Sequence, residues 1–183
     1  RIQVMEALSG ALFTVDKASQ LQAGAQGTMP VLTEADTTIT DNNEVSKTGQ
    51  FIKLNSAVDG TAKTYPGMII PICLTKEVLQ ALAAAGATDI SFDVYIDYDE
   101  ALDTNGEKNY RYFYNKWCHA NGVGTQQNIG WAYVKEWTTV TIKGGLQKLI
   151  DNYDVVVSGA QEFLYIGNDA QYTGEKKTGT CDT

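Results

Sequence analysis

Over residues 90–98 the side chains sort themselves by parity: Ile90, Phe92, Val94, Ile96 and Tyr98 fall on one, Ser91, Asp93, Tyr95 and Asp97 on the other. Successive side chains of an extended chain point to opposite faces, so a β-strand is the element that separates this run into one apolar and one polar face. The apolar set is expected to meet the core, which turns Tyr95 outward.

Short segments of similar character recur along the chain. Residues 110–115, 129–134, 138–142, 155–157 and 163–166 read as further strands between Gly- or Asn-rich turns. Upstream, residues 11–18, Phe51 with Ile52 and Leu54, and residues 68–74 read the same way, with Pro66 and Gly67 marking a turn and Pro71 an edge or bulge. Thr75 is placed to cap a helix over residues 76–85 that Gly86 would stop, and this helix is expected to be a surface connector. Leu146, Leu149 and Ile150 fall at helical offsets within residues 146–153. From Gly174 onward no apolar period is present, and the tail reads as a mobile end or as the lead-in to a strand further on. These elements predict an all-β fold, a β-sandwich with one or two short surface helices. At 183 residues a single domain is expected.

Composition removes several classes of function. Lys and Arg number 14 against 22 acids, a net charge of -8, which opposes nucleic-acid backbones and anionic membrane surfaces. No run approaches the roughly 18 apolar residues that a membrane-spanning helix needs, so no membrane insertion is expected. Cys73, Cys118 and Cys181 are too far apart for a C-x-x-C metal or redox motif; one disulfide and one free thiol is an open arrangement without an assigned pairing. His119 is the single histidine and sits beside Cys118, which excludes multi-histidine metal sites. The serines stand in no G-x-S-x-G elbow, and neither a phosphate-cradling loop nor a dinucleotide fingerprint is present. Many Thr, Asn, Gly and Tyr residues with few cations suit an extracellular or cell-surface domain. A chain opening on Arg1 with no basic-then-apolar leader is expected to be part of a larger multidomain protein.

The residues that point to function are aromatic. Tyr110, Tyr112 and Tyr114 alternate along one segment, so a strand would set all three on one face and Phe113 on the other. Flat rings stack on pyranose faces while phenol hydroxyls meet sugar hydroxyls. A hairpin through residues 99–109 would bring Tyr95 beside them. Trp131 and Tyr133 share a parity opposite to Ala132 and Val134, and a loop over residues 119–128 would offer Asn121, Gln126, Gln127 and Asn128 as amide partners for a neutral polyol. For each ring the competing reading is a half-buried strand residue of high β-propensity. Trp137, ahead of Val140 and Ile142, is expected to close the end of the core and is left out of the site.

Acids crowd residues 93–107: Asp93, Asp97, Asp99, Glu100, Asp103 and Glu107. An EF-hand frame with Gly106 as its turn glycine fails, because Ala101 and Tyr112 stand where ligand acids are required. A structural calcium site near Asp97, Asp99 and Asp103 and a solvated loop are the two remaining readings. A glycosidase would need two carboxylates about 5 to 10 Å apart in a cleft, one of them in an apolar pocket. No catalytic residue is assigned.

The stretch over residues 90–167, with ISFDVYID, the aromatic strands, EWTTVTI, GGLQKLIDNYD and EFLYIGN, resembles jelly-roll carbohydrate-binding modules of secreted or cell-surface gut-bacterial polysaccharide-utilisation proteins. The resemblance implies a jelly-roll sandwich and an aromatic sheet face or loop edge that holds a polysaccharide or oligosaccharide. It implies no required cofactor, though a structural calcium is often present. The expected function is therefore non-catalytic binding of a neutral glucan, such as starch or a plant cell-wall glucan. A structural or adhesion module using the tyrosines for protein contact is the alternative, and a glycoside hydrolase a more distant one.

Overall fold

The computed structural model describes residues 17–23, 31–33, 38–53, 55–58, 67–69, 72–97, 106, 110–117, 125–158, 164–169 and 179–182. After a 3-10 turn at Ala18–Gln20, the strands in chain order are β1 (Gln22–Ala23), β2 (Val31–Thr33), β3 (Thr38–Thr40), β4 (Ser46–Thr48), β5 (Phe51–Lys53), β6 (Asn55–Val58) and β7 (Gly67–Ile69). They continue as β8 (Ile90–Val94), β9 (Tyr110–Trp117), β10 (Thr125–Tyr133), β11 (Thr138–Ile142), β12 (Leu164–Asp169) and β13 (Gly179–Asp182). The helices are α1 (Lys76–Ala84), α2 (Gly145–Asp151) and α3 (Tyr153–Ser158). The fold is β-rich: a five-stranded antiparallel sheet in the order β1-β7-β12-β9-β10, with two-stranded pairs β8–β11, β6–β13, β2–β5 and β3–β4.

The alternating segment folds as its parity predicts. Ile90 and Val94 are buried, as is Ile96 just beyond the strand, while Ser91, Asp93 and Asp97 are exposed. These apolar residues meet Val140 and Ile142 of β11, Ala132 and Val134, Leu79 of α1, and Leu146, Leu149 and Ile150 of α2 in one cluster. Of the described elements, α1, α2, β8 and β11 each turn one stripe or face into this cluster, as their periods require. Thr75 caps α1, its hydroxyl accepting from the Val78 amide at 3.3 Å, and Gly86 ends the helix at a φ of 102°.

Several expectations change. Helix α1 lies at the surface as expected, with Glu77, Val78, Gln80, Ala81 and Ala84 exposed, but it is more than a connector, because Leu79 is 0% exposed within the core cluster. Helix α2 likewise buries three of its side chains, so these helices close the core and do not merely link strands. Residues 155–157, expected as a strand, lie in α3, where the helical turn begun in α2 carries on after a break at Asn152. The expected strand over residues 68–74 is confined to Gly67–Ile69 in its described part, and residues 72–74 are irregular. Of the expected first strand, residues 11–16 lie outside the described residues and Ala18 begins the 3-10 turn. The tail itself supplies a strand: β13 pairs with β6, Cys181 opposite Ser56. Backbone pairing, which needs no apolar period, makes that strand.

Two adjacent glycines enter α2 for different reasons. Gly144 has a φ of 65° with open space where a Cβ would stand, so any other residue there carries the left-handed backbone cost. Gly145 is buried, and a Cβ on it would lie 2.9 Å from Ile142 Cγ2 and 3.2 Å from Ile90 Cδ1. Both isoleucines are themselves held in the core. Gly145→Ala is therefore expected to destabilise the fold by about 1 kcal/mol or more, overpacking outweighing the better helix propensity of alanine. Chemical denaturation checks it; a stabilised variant would show that the isoleucines can give way.

Candidate functional site

Strand β9 occupies the middle of the aromatic region with a partner on each side. On one edge β10 pairs with it antiparallel, setting Tyr133 opposite Tyr110, Trp131 opposite Tyr112 and Asn128 opposite Tyr114. On the other edge β12 sets Asp169 opposite Tyr112, Gly167 opposite Tyr114 and Tyr165 opposite Lys116. Residues directly opposite in a ladder belong to one face of the sheet. Positions 110, 112, 114, 131, 133 and 165 therefore share a face.

A β-bulge decides which amides join them. The register between β9 and β10 shifts between Asn128 and Gly130, Gly130 taking a φ of 133°. One inserted residue reverses the parity of everything beyond it. Without the bulge, Asn128 and Trp131 would be on opposite faces; with it, positions 126 and 128 fall on the face of Trp131, and position 127 on the other. Gln126, Gln127 and Asn128 thus belong to β10 and not to a loop, and Gln127 is removed from the aromatic face. Asn121 lies outside the described residues.

Trp131 and Tyr133 show how this face meets its surroundings. Ala132 and Val134 are 1% and 2% exposed within the core, whereas Trp131 is 47% exposed. Tyr133 is half-buried, and its ring meets Trp131 edge to face with centroids 4.7 Å apart and planes at 80°. The strand parity read from the sequence is realised here: one side fills the core and the other displays a tryptophan.

Tyr95 belongs elsewhere. A strand has two edges, and those of β9 are taken by β10 and, over residues 112–117, by β12, so among the described residues the expected hairpin between β8 and β9 does not form; β8 pairs instead with β11. Tyr95 packs against Trp137, centroids 5.2 Å apart, and its hydroxyl donates to the Thr40 carbonyl at 3.3 Å. Burial pushes the phenol above its ordinary value of 10.0. Trp137, half-buried, donates from Nε1 to the Ile39 carbonyl at 3.4 Å, with the Lys47 ammonium 4.8 Å from its ring centroid. These two rings anchor the β3–β4 hairpin.

Two acids of this region, Asp93 and Asp97, are each engaged by a lysine. Asp93 accepts from Lys47 and, at 2.5 Å, from the Thr139 hydroxyl, and these bonds hold its carboxyl below the ordinary aspartate value. A general acid in a glycosidase needs the opposite shift. Asp97 pairs with Lys135. Asp99 and Asp103 lie outside the described residues, and among the described residues no cluster of three or more His, Cys, Asp or Glu side chains is arranged to hold a metal ion. No helix among the described residues is long and apolar enough to cross a membrane.

Asp41, which the sequence did not single out, is the one buried polar residue among those described, at 7% exposure. Its Oδ1 accepts from the amides of Asn43 at 2.9 Å and Val45 at 2.8 Å, and its Oδ2 from the Trp137 amide at 3.1 Å. One carboxylate thereby ties the turn between β3 and β4 to the corner between β10 and β11, where the Asn42 amide also donates to the Lys135 carbonyl at 2.8 Å. The local signal was present as an Asp at the head of a polar turn, D-N-N-E. Its distant partner at Trp137 has no trace in sequence spacing.

Tyr165 and Asp169, also unassigned from sequence, join the aromatic face by register; alternation within LYIGND carries the parity, but the pairing with β9 supplies the neighbours. Compared with protein families, curated proteins and solved structures, the chain matches none.

Proposed function

We propose that this domain binds a neutral polysaccharide, a glucan of the starch or plant cell-wall type, without cleaving it, and that its sheets belong to an extracellular β-sandwich. The observation that carries the reading is the exposed indole of Trp131, flanked in the ladder by Tyr112 and followed on the same face by Tyr133. A tryptophan left 47% exposed beside a well-packed core offers aromatic surface suited to stack on a sugar ring. Amide positions 126 and 128 share that face, where they would meet sugar hydroxyls. The net charge of -8 favours a neutral chain over a polyuronate.

Affinity gel electrophoresis through soluble starch, xyloglucan, mixed-linkage β-glucan, mannan and pectin tests this. At least one neutral glucan is expected to retard the protein, and Trp131→Ala to weaken that retardation by roughly tenfold through loss of stacking. The variant should keep its melting temperature, because the exposed indole supports little of the core. Free migration through all five polymers would sink the reading and favour protein contact as the use of this face.

A further inference from the structure

We propose that the β3–β4 hairpin, residues 38–48, is a releasable strap: it comes away from the domain as one unit while the core stays folded, and acid releases it. The core is built without it. No residue of the hairpin belongs to the core cluster or is packed against it, Asp41 is its single buried residue, and Val45 is 48% exposed. Among the described residues neither β3 nor β4 pairs with any strand but the other. Shared apolar burial is what makes opening one element as costly as unfolding the whole, so an element outside the core opens at a lower free energy.

The described ties between the hairpin and the rest of the chain are polar. Asp41 accepts from the Trp137 amide at 3.1 Å, and the Asn42 amide donates to the Lys135 carbonyl at 2.8 Å. The Thr40 and Ile39 carbonyls accept from the Tyr95 hydroxyl at 3.3 Å and from Trp137 Nε1 at 3.4 Å, both long for hydrogen bonds. Lys47 pairs with Asp93 and stands over the Trp137 ring. Inside the hairpin the bonding is closer: the Thr38 and Thr48 hydroxyls are 3.0 Å apart, those of Thr40 and Ser46 are 2.8 Å apart, and Asp41 Oδ1 closes the turn. These bonds make the hairpin leave as one piece. Two strands of three residues do not persist alone in water, so release and melting are a single event. At the C-terminal foot Gly49 takes a φ of 140° with no atom within 4 Å of where a Cβ would stand, which lets the chain swing there without a clash.

Acid weakens these ties at two points. The charged and titratable groups on the elements that meet here are Glu44 in the turn, Lys47 on β4, Asp93, Tyr95 and Asp97 in and just after β8, and Lys135 and Glu136 between β10 and β11. Asp97 pairs with Lys135, and the donors to Asp41 are backbone amides, which do not titrate. Docking holds Asp41 and Asp93 below the ordinary 3.8 to which release returns them. Docking stability from both is therefore full above that ordinary value and is lost as pH falls through the lower, docked values. Release also frees the Tyr95 hydroxyl and the Trp137 indole N–H, which the strap carbonyls occupy.

Native-state hydrogen exchange of the full chain, read by NMR at about pH 7, 5 and 3.5, tests this. At neutral pH the amides of Asn42, Val45 and Trp137, which bond within or to the strap, are expected to be protected at least roughly tenfold less than those of the β8–β11 ladder, and to exchange with little dependence on denaturant. In the most acid sample they should approach unprotected rates while the ladder stays protected. Asp41→Ala should bring the strap to that state already at neutral pH, and Lys47→Gln, which keeps Asp41, should lower strap protection severalfold. Equal protection of strap and ladder, or their loss at one common pH and denaturant concentration, would overturn the inference. Strap exchange indifferent to acid and to Asp41→Ala would overturn it as well. So would failure of Asp41→Ala to fold, since the core is held to stand without the strap.

Discussion

Leu79→Ala is expected to destabilise the domain by about 3 kcal/mol, within the range of roughly 2 to 5 for a fully buried leucine. Leu79 is 0% exposed and belongs to the cluster that joins α1 to β8, β11 and α2. Truncation removes its transfer free energy and leaves a cavity in the cluster to which Ile96, Ile142 and Leu149, likewise fully buried, also belong. For a chain of this size the melting temperature should fall by roughly 6 to 12 °C. Val78, its neighbour on the same helix, is 43% exposed, so Val78→Ala should stay within about 0.5 kcal/mol of the parent. Similar small losses in both variants would return α1 to the status of a connector lying on the surface.

Asp41→Ala is the second large loss, and it acts through hydrogen bonds. Burial opposes the charged carboxylate, but the amides of Val45, Trp137 and Asn43 all donate to it and together hold its pKa below the ordinary 3.8. Alanine leaves three backbone donors without their acceptor at a buried corner, and the β3–β4 hairpin loses its tie to the β10–β11 turn. A fall in melting temperature of roughly 5 °C or more is expected. Asparagine does not rescue it fully, because its amide nitrogen would face a backbone donor.

The same residue carries a pH signature. A carboxyl with a lowered folded-state pKa adds stability that is fully present above its unfolded value, and that stability disappears as pH falls through the folded value. Asp93, lowered by Lys47 and Thr139, acts in the same direction, more weakly because it is solvent-exposed. The parent protein should therefore lose melting temperature below about pH 4, and Asp41→Ala should lose less over that interval. An identical acid profile in parent and variant would assign the acid sensitivity to other carboxylates.

Strand parity was legible wherever one face is buried. Ile90, Val94 and Ile96 inward with Ser91, Asp93 and Asp97 outward, and Ala132 and Val134 inward with Trp131 outward, follow from a period of two and the preference of apolar side chains for the core. The cap of α1 at Thr75 and its stop at Gly86 were equally local, since both satisfy backbone groups within one turn. Local chemistry by itself determined these.

Partnership between elements was decided only in three dimensions. Tyr95 has the parity of an outward ring, yet which strand lies beside β8 depends on long-range competition for edges; β11 takes that edge, and Tyr95 packs against Trp137. Residues 155–157 have the composition of a strand, but α3 continues from the packed α2. The bulge at the junction of Asn128 and Gly130 moved positions 126 and 128 onto the aromatic face and left 127 off it, a reversal that counting by two along the chain does not reveal. A strand's own residues set which of its side chains agree with one another, whereas ladder register and burial against distant segments set what they face.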